Sequence, residues 1–375
     1  MAFTRLPYDP WDIPADERNA TLVGRAPLLQ QLLSAVVEQQ GHDTIQHYLL
    51  MGPRGIGKTT VLLTLQERLR ADKEMSKNWF CVQFREEEYS IRTLRDLLVR
   101  ILQLLAEDDQ LPEAADMARR AQDEKDDERS LAIAIDGLRS ISTTHRKQIL
   151  LLIDNFDRIF PRTTTGRKQA KASLNEYRSF RKLLSKESFL MVLGATIRLF
   201  EDIAVYDQAF YNFFTPIEIP NLSDEEICDL IRKRAQAENN TAFLQNLEKI
   251  KNQVKAITYM TGGNPRLVLM LYEVLNQREM MPIVNVLRET VGGLTPMLKH
   301  VLDDMPRQQS KTLDALVRLG GVSSPSKIAE MTRMSLNAVT TQLGRLKDGR
   351  FVSVEGDGKG KPATYRVADP MFRTW

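Results

Sequence analysis

Only two cysteines occur in 375 residues, Cys81 and Cys228. Neither belongs to a CxxC pair or to a metal-ligand spacing, so both read as reduced core residues, excluding a disulfide framework or a zinc module. Long apolar runs are also missing. The stretch Ile149-Leu150-Leu151-Leu152-Ile153 is far shorter than the ~20 residues that span a bilayer, and no signal-like apolar segment follows Met1. The expectation is a cytoplasmic protein with no membrane partner. Internal repeats and low-complexity tracts are lacking too, which excludes a solenoid.

What is present is 42% hydrophobic and 27% charged residue, enough to build a substantial core, over a length that predicts two or three compact units. The net charge of +3 is unevenly spread. Residues 307–375 hold twelve Lys and Arg against six Asp and Glu, an excess of six positive charges. Residues 1–306 are therefore left with an excess of three negative ones. A basic C-terminal module beside an acidic body points to a polyanionic partner for that module.

Along the chain, residues 1–21 read as an extended arm (Pro7, Pro10, Pro14). Residues 22–220 read as an α/β unit, a parallel sheet with helices on both faces. Its strands are His47–Met51, Trp79–Phe84, Ile149–Ile153 and Phe189–Leu193, the last ending at Gly194-Ala195-Thr196. The stretch Ile91 to Arg139 reads as helical with an acidic middle. Beyond Pro220 the strands stop; Ser223 to Glu226 is a capping box, and residues 221–300 read as a helical lid. Residues 301–375 read as three short helices and a glycine-rich hairpin, a winged helix-turn-helix.

The chemistry is carried by Gly52-Pro53-Arg54-Gly55-Ile56-Gly57-Lys58-Thr59, followed by Thr60, which matches GxxxxGK[ST] between a strand and a helix. Such a loop turns its backbone N–H groups inward as an anion nest; Lys58 reaches the β- and γ-phosphates and the Thr59 hydroxyl ligates Mg²⁺. ATP and Mg²⁺ are therefore the expected ligands. A second carboxylate for the metal belongs at the end of a neighbouring buried strand, where Asp154 stands. Asp157 either returns a carboxylate to the phosphate side as general base or caps the loop. Thr196 can offer a hydroxyl to the γ-phosphate. In Gly262-Gly263-Asn264-Pro265-Arg266, the arginine opens a helix, either reporting nucleotide state or facing solvent from a capping turn.

Leu336, Val339, Leu343 and Leu346 form an apolar stripe expected to face the core. The other face offers Asn337, Thr340, Thr341, Gln342 and Arg345 to phosphates or base edges, with Lys359 and Lys361 in the wing. A winged helix also docks proteins, so duplex DNA and a protein effector both remain open as partners. The run Arg162, Arg167, Lys168, Lys171, Arg178, Arg181, Lys182 reads as a solvated helix face or as a second contact for DNA or a partner.

Taken in order, Val23-Gly24-Arg25, the phosphate loop, Leu152 to Asp157, Leu193 to Thr196, Pro220 to Ser223, Gly262 to Arg266 and the terminal Tyr365 to Trp375 resemble the origin-recognition (initiator)-like AAA+ ATPases and the related archaeal-type and STAND ATPases. The resemblance implies an ATPase core, a helical lid and a winged helix, with Gly24 and Arg25 near the adenine and nucleotide-dependent self-assembly. Two positions depart from it. Asn155 stands where AAA+ ATPases carry the water-polarising glutamate, and Phe210 to Thr215, the usual place of an arginine finger, has no arginine; Arg198 is the nearest alternative. The expectation is a slow ATPase acting as an ATP-dependent DNA-binding switch in replication, transposition or mobile-element defence, the other reading being a STAND-like signalling ATPase.

Overall fold

The computed structural model describes residues 10–84, 91–160, 167–197, 210, 212–245, 258, 261–277, 299, 302, 305–349, 351–355 and 363–368. The chain divides into two compact units, Met1–Pro220 and Asn221–Trp375.

In the first unit, β1 (His47–Met51), β2 (Trp79–Phe84), β3 (Gln148–Ile153), β4 (Leu190–Thr196) and β5 (Phe214–Glu218) form one parallel sheet in the order β2-β3-β4-β1-β5. The strands are near-continuous apolar runs because successive side chains enter two different cores. Leu49, Ile149, Leu151 and Val192 face one layer, while Leu50, Leu150, Leu152 and Met191 face the other. The first layer is covered by α5 (Leu94–Asp108), α6 (Pro112–Asp123), α7 (Asp127–His145) and α8 (Arg167–Lys186). The second is covered by α2 (Ala26–Glu38) and α3 (Lys58–Ala71), with α4 (Lys73–Asn78) packed at its edge. The helical stretch expected from Ile91 to Arg139 is made of the three helices α5 to α7.

Two sequence expectations are corrected here. The arm is not extended over its described part: Pro10–Asp12 is a 3₁₀ turn and Ala15–Thr21 is α1. Arg18 holds them down, buried to 6% exposure, giving hydrogen bonds to Pro10 O (2.7 Å) and Ile13 O (2.9 Å) and an ion pair to Glu67 of α3. The second is β5, not foreseen as a strand, which pairs with β1 along Phe214 to Glu218 as an edge strand containing Pro216. No disulfide joins the two cysteines; Cys81 is buried and Cys228 only half-buried. Burial pushes the Cys81 thiol up to about 12, so it stays protonated and inert. No single helix among the described residues is long and apolar enough to cross a membrane.

The second unit begins with α9 (Asp224–Ala237), α10 (Thr241–Gln245) and α11 (Pro265–Gln277). Ser223 and Glu226 complete the expected capping box of α9. Further on, α12 (Arg307–Arg318), β6 (Val322–Ser323), α13 (Pro325–Thr332), α14 (Leu336–Asp348), β7 (Val352–Glu355) and β8 (Thr364–Val367) follow in the order of a winged helix-turn-helix. Their antiparallel sheet runs β6-β8-β7, with β6 an additional short strand.

Candidate functional site

Strand order decides what meets at the carboxyl edge of the main sheet. Because β4 lies between β1 and β3, three strand ends stand side by side: Met51 before the phosphate loop, Thr196, and Ile153 before Asp154. This is the crevice in which α/β sheets hold ligands.

The loop after β1 turns through Gly55 (φ +81°) and Gly57 (φ +98°). Gly57 caps α3 in the left-handed region, where any side chain adds strain, and its conformation lets the loop double back onto the helix start. Ile56 anchors the loop from beneath, fully buried, while Pro53 is exposed and Arg54, Gly55, Thr59 and Thr60 are half-buried. Lys58 is 7% exposed and its ammonium donates to Gly52 O (2.8 Å) and Pro53 O (3.1 Å), which holds the positive charge over the loop. Gly52 N donates to Thr196 O at 3.3 Å, tying the loop to the tip of β4.

Arg25 is 3% exposed, and its guanidinium donates to Ile56 O (3.2 Å) and Gly24 O (3.3 Å). It therefore braces the phosphate loop from behind. Gly24 itself adopts φ +67° just before α2.

Across the crevice the Thr59 hydroxyl donates to Asp154 Oδ2, and Asn155 N–H donates to Asp154 Oδ1 at 2.9 Å. One hydroxyl and one carboxylate in contact beside a phosphate loop form a donor set that suits Mg²⁺, which takes few protein oxygens and completes its shell with phosphate and water. Among the described residues no group of three His, Cys, Asp or Glu forms a self-contained metal cage. Asn155 is left-handed (φ +48°), and the chain then closes a 3₁₀ turn over Phe156–Arg158. That turn carries Asp157 back to β4, where its Oδ1 accepts the Thr196 hydroxyl at 3.0 Å. The two side chains singled out separately in the sequence thus form one pair. Phe156, fully buried, packs against Tyr177, Phe180, Phe210 and Phe214, and fixes the turn. The segment without a finger arginine supplies two of those rings. Arg198 lies outside the described residues.

Arg266 opens α11 in the second unit, its N–H accepted by Asn264 Oδ1 at 3.1 Å. Before it, Gly263 (φ +76°) lies so close to Leu222 that an added Cβ would stand 2.3 Å from Leu222 O. Leu222 N donates to Gly263 O (2.8 Å), so the glycine permits a backbone contact that pins the start of this unit.

On α14, Asn337, Thr340, Thr341 and Arg345 are exposed. The threonine hydroxyls donate back to Leu336 O and Asn337 O (2.9 Å each), so toward a ligand they present lone pairs. Two readings are corrected. Gln342 is 5% exposed and donates to Gln308 Oε1 at 3.3 Å, making it part of the packing against α12. Leu336 is not in the core stripe but 52% exposed, close in sequence to Met331 at 46%. Lys359 and Lys361 lie outside the described residues.

Residues 21–193 match the family model of the AAA ATPase domain. This segment is an AAA ATPase domain. The AAA domain accounts for the phosphate loop and the Asp154 strand and makes the chain a nucleotide-binding P-loop protein. Over its length the chain is similar to the Walker-type ATPase of Pyrococcus abyssi (14% identity, 98% of this chain and 99% of that one, TM-score 0.67). It is also similar to the Aeropyrum pernix ORC2 protein in its ADPNP-ADP complexes (13% identity, 97% and 93%, TM-score 0.60). These likenesses are of fold. An uncharacterized HTH-type transcriptional regulator of Methanocaldococcus jannaschii is 21% identical over 382 residues, 94% of this chain and 89% of its own length.

Proposed function

We propose that this protein is an ATP-dependent DNA-binding switch: it binds ATP with Mg²⁺, hydrolyses it slowly, and contacts duplex DNA through the winged helix. The observation that carries this reading is the arrangement around the tip of β4. Thr59 meets Asp154 on one side and Thr196 meets Asp157 on the other. Lys58 and Thr59 hold phosphate and metal, and Asp157 is the group available to take a proton from water, in place of the glutamate that Asn155 replaces. Asp157 already accepts the Thr196 hydroxyl, and that bond has to be shared or broken before the carboxylate meets water, which suits a slow reaction. Residues 221–300 act as the lid, with Arg266 answering to the phosphates, and residues 301–375 carry the DNA contacts of Asn337, Thr340, Thr341, Arg345, Lys359 and Lys361. The exposed face of α14 and the similarity to an HTH-type regulator support this assignment.

The exposed Met331 and Leu336 favour a second reading, in which the winged helix docks a protein effector and the ATPase is a STAND-like signalling switch. Electrophoretic binding to duplex DNA with ADP, ATP and a non-hydrolysable analogue separates the two. A nucleotide-dependent shift that weakens in Arg345→Ala combined with Lys359→Ala and Lys361→Ala supports the DNA switch. Equal binding, or none, in every nucleotide state moves the effector reading ahead.

A further inference from the structure

Five of the described helices pair surface cations with acids of their own. Lys77 pairs with Glu74, Arg119 with Asp116, Arg139 with Asp136, Arg232 with Asp229 and Arg318 with Asp314, each three or four residues apart. Helix α8 does not. Its twenty residues hold seven Lys and Arg against one acid, Glu176. That carboxylate is already committed, accepting Leu94 N–H of α5 at 2.6 Å. Arg178, Lys182 and Lys186 are exposed and follow one another at i+4, along one face. None has an acidic partner among the described residues. Like charges at this spacing disfavour the helix by a few tenths of a kcal/mol per pair.

The last of these three side chains does not end the basic strip. Lys186 lines a cleft of about 440 Å³ beneath the amino ends of the strands, together with Arg146 and Lys147 and facing the acids Asp43 and Glu187. Arg139 also lines it, but its charge is met by Glu187 at 2.7 Å. Lys147 is held in place over the Phe80 ring, 4.6 Å from its centroid. Arg146 occupies the left-handed position that closes α7 (φ +54°). From Arg178 to Lys186 the strip runs about 12 Å, and the cleft extends it.

We infer that this strip is a second surface for duplex DNA, on the AAA domain itself and separate from the winged helix. The chemistry fits a phosphate backbone: a line of cations on flexible stems, without acidic partners or an aromatic platform among the described residues, meeting a polymer that presents one charge per ~1.7 Å. It is a positioning contact, indifferent to base sequence. The inference rests on the DNA-binding reading above.

The test measures affinity of the full chain for a short fluorescent duplex of mixed sequence against salt. Three proteins are compared: the unaltered chain, the ridge variant Arg178→Gln/Lys182→Gln/Lys186→Gln, and the winged-helix variant Arg345→Gln. Removing one phosphate-binding cation flattens the log–log slope by about 0.9, so the ridge variant should be shallower by about 2.7 and Arg345→Gln by about 0.9. Thermal unfolding and ATP affinity of the ridge variant should match the unaltered chain. If the ridge variant keeps the full slope while Arg345→Gln flattens it, the ridge inference is overturned and the DNA switch stands. If only the ridge variant flattens it, the ridge stands and the winged-helix assignment falls. Absence of any binding by the unaltered chain overturns both. Helices α5 to α7 hold twelve acids against seven bases over Leu94–His145, so a second copy is the competing occupant. Loss of self-association in the ridge variant by sedimentation, with an unchanged salt slope, would assign the strip to that contact and overturn the DNA inference.

Discussion

Thr59 with Asp154 and Thr196 with Asp157 form two hydrogen-bonded pairs at the carboxyl edge of the sheet, and their single-residue variants should separate binding from chemistry. Asp154→Asn keeps the shape but removes the charge, so nucleotide affinity should fall in the presence of Mg²⁺ and change little with a chelator; calorimetry in both buffers decides, and equal losses would contradict a metal role. Asp157→Ala should leave ATP affinity intact and lower phosphate release by roughly 10²-fold, the lower end of what a general base contributes. Rapid turnover unaffected by that change would place the base elsewhere. Asn155 adopts a left-handed conformation that asparagine tolerates and glutamate does not, so Asn155→Glu should cost about 1–2 kcal/mol of stability even if it speeds hydrolysis. His47 offers a pH signature. It is 1% exposed, its Nδ1 accepts Val192 N–H at 3.1 Å, and burial pushes its pKa from about 6.5 down to about 4. Between those values the unfolded chain binds the extra proton, so stability is full above pH 6.5 and falls by up to about 3 kcal/mol as the pH drops toward 4. His47→Phe should flatten that part of the stability curve; an unchanged slope in urea titrations across the window would show that the ring is not the sensor.

The strands of the main sheet were legible because burial on both faces leaves unbroken apolar runs, as in Ile149 to Ile153, and the phosphate loop because its glycines and Lys58 occupy fixed spacings. The remainder depended on contacts that no local pattern carries. β5 buries only Phe214 and Ile217, out of step with a period of two, and contains Pro216, so its sequence resembles a loop until β1 provides the hydrogen bonds. Helix α1 is short and polar; what orders it is Arg18 reaching Glu67, forty-nine residues away. Leu336 kept the helical period of its neighbours yet lies at the first turn of α14, beyond the reach of the core, while Gln342 looked polar and was needed to meet Gln308. In the candidate site, Lys58, Thr59 and Asp154 could be named from motif alone. The Thr196 to Asp157 bond could not, since it depends on a 3₁₀ turn folding back toward another strand. Connections of this kind should be intolerant. Gly263→Ala places a Cβ against Leu222 O at a φ that disfavours it, and should destabilise the second unit by about 1–3 kcal/mol, seen as a lowered melting transition. An unaltered transition would mean that the two loops part easily.

For the protein as one entity, nucleotide should act as a fold-stabilising ligand. At a free ATP concentration of 100 Kd the native state gains about 2.7 kcal/mol, which for a unit of this size raises the melting temperature by roughly 5–10 °C. Lys58→Ala should abolish that rise and leave the melting temperature without nucleotide almost unchanged; a persisting rise would remove the phosphate loop from the binding account. The hydrogen bond between Thr196 and Asp157 then acquires a meaning in time. Switch NTPases that lack a stimulating arginine turn over on the order of 10⁻⁴–10⁻³ s⁻¹. With Asp157, the proton acceptor proposed above, tied to the strand tip that also accepts Gly52 N–H, this domain would hold each ATP for tens of minutes to hours. A molecule that forgets so slowly keeps a record of having been loaded, and whatever loosens that one hydrogen bond sets when the record is erased.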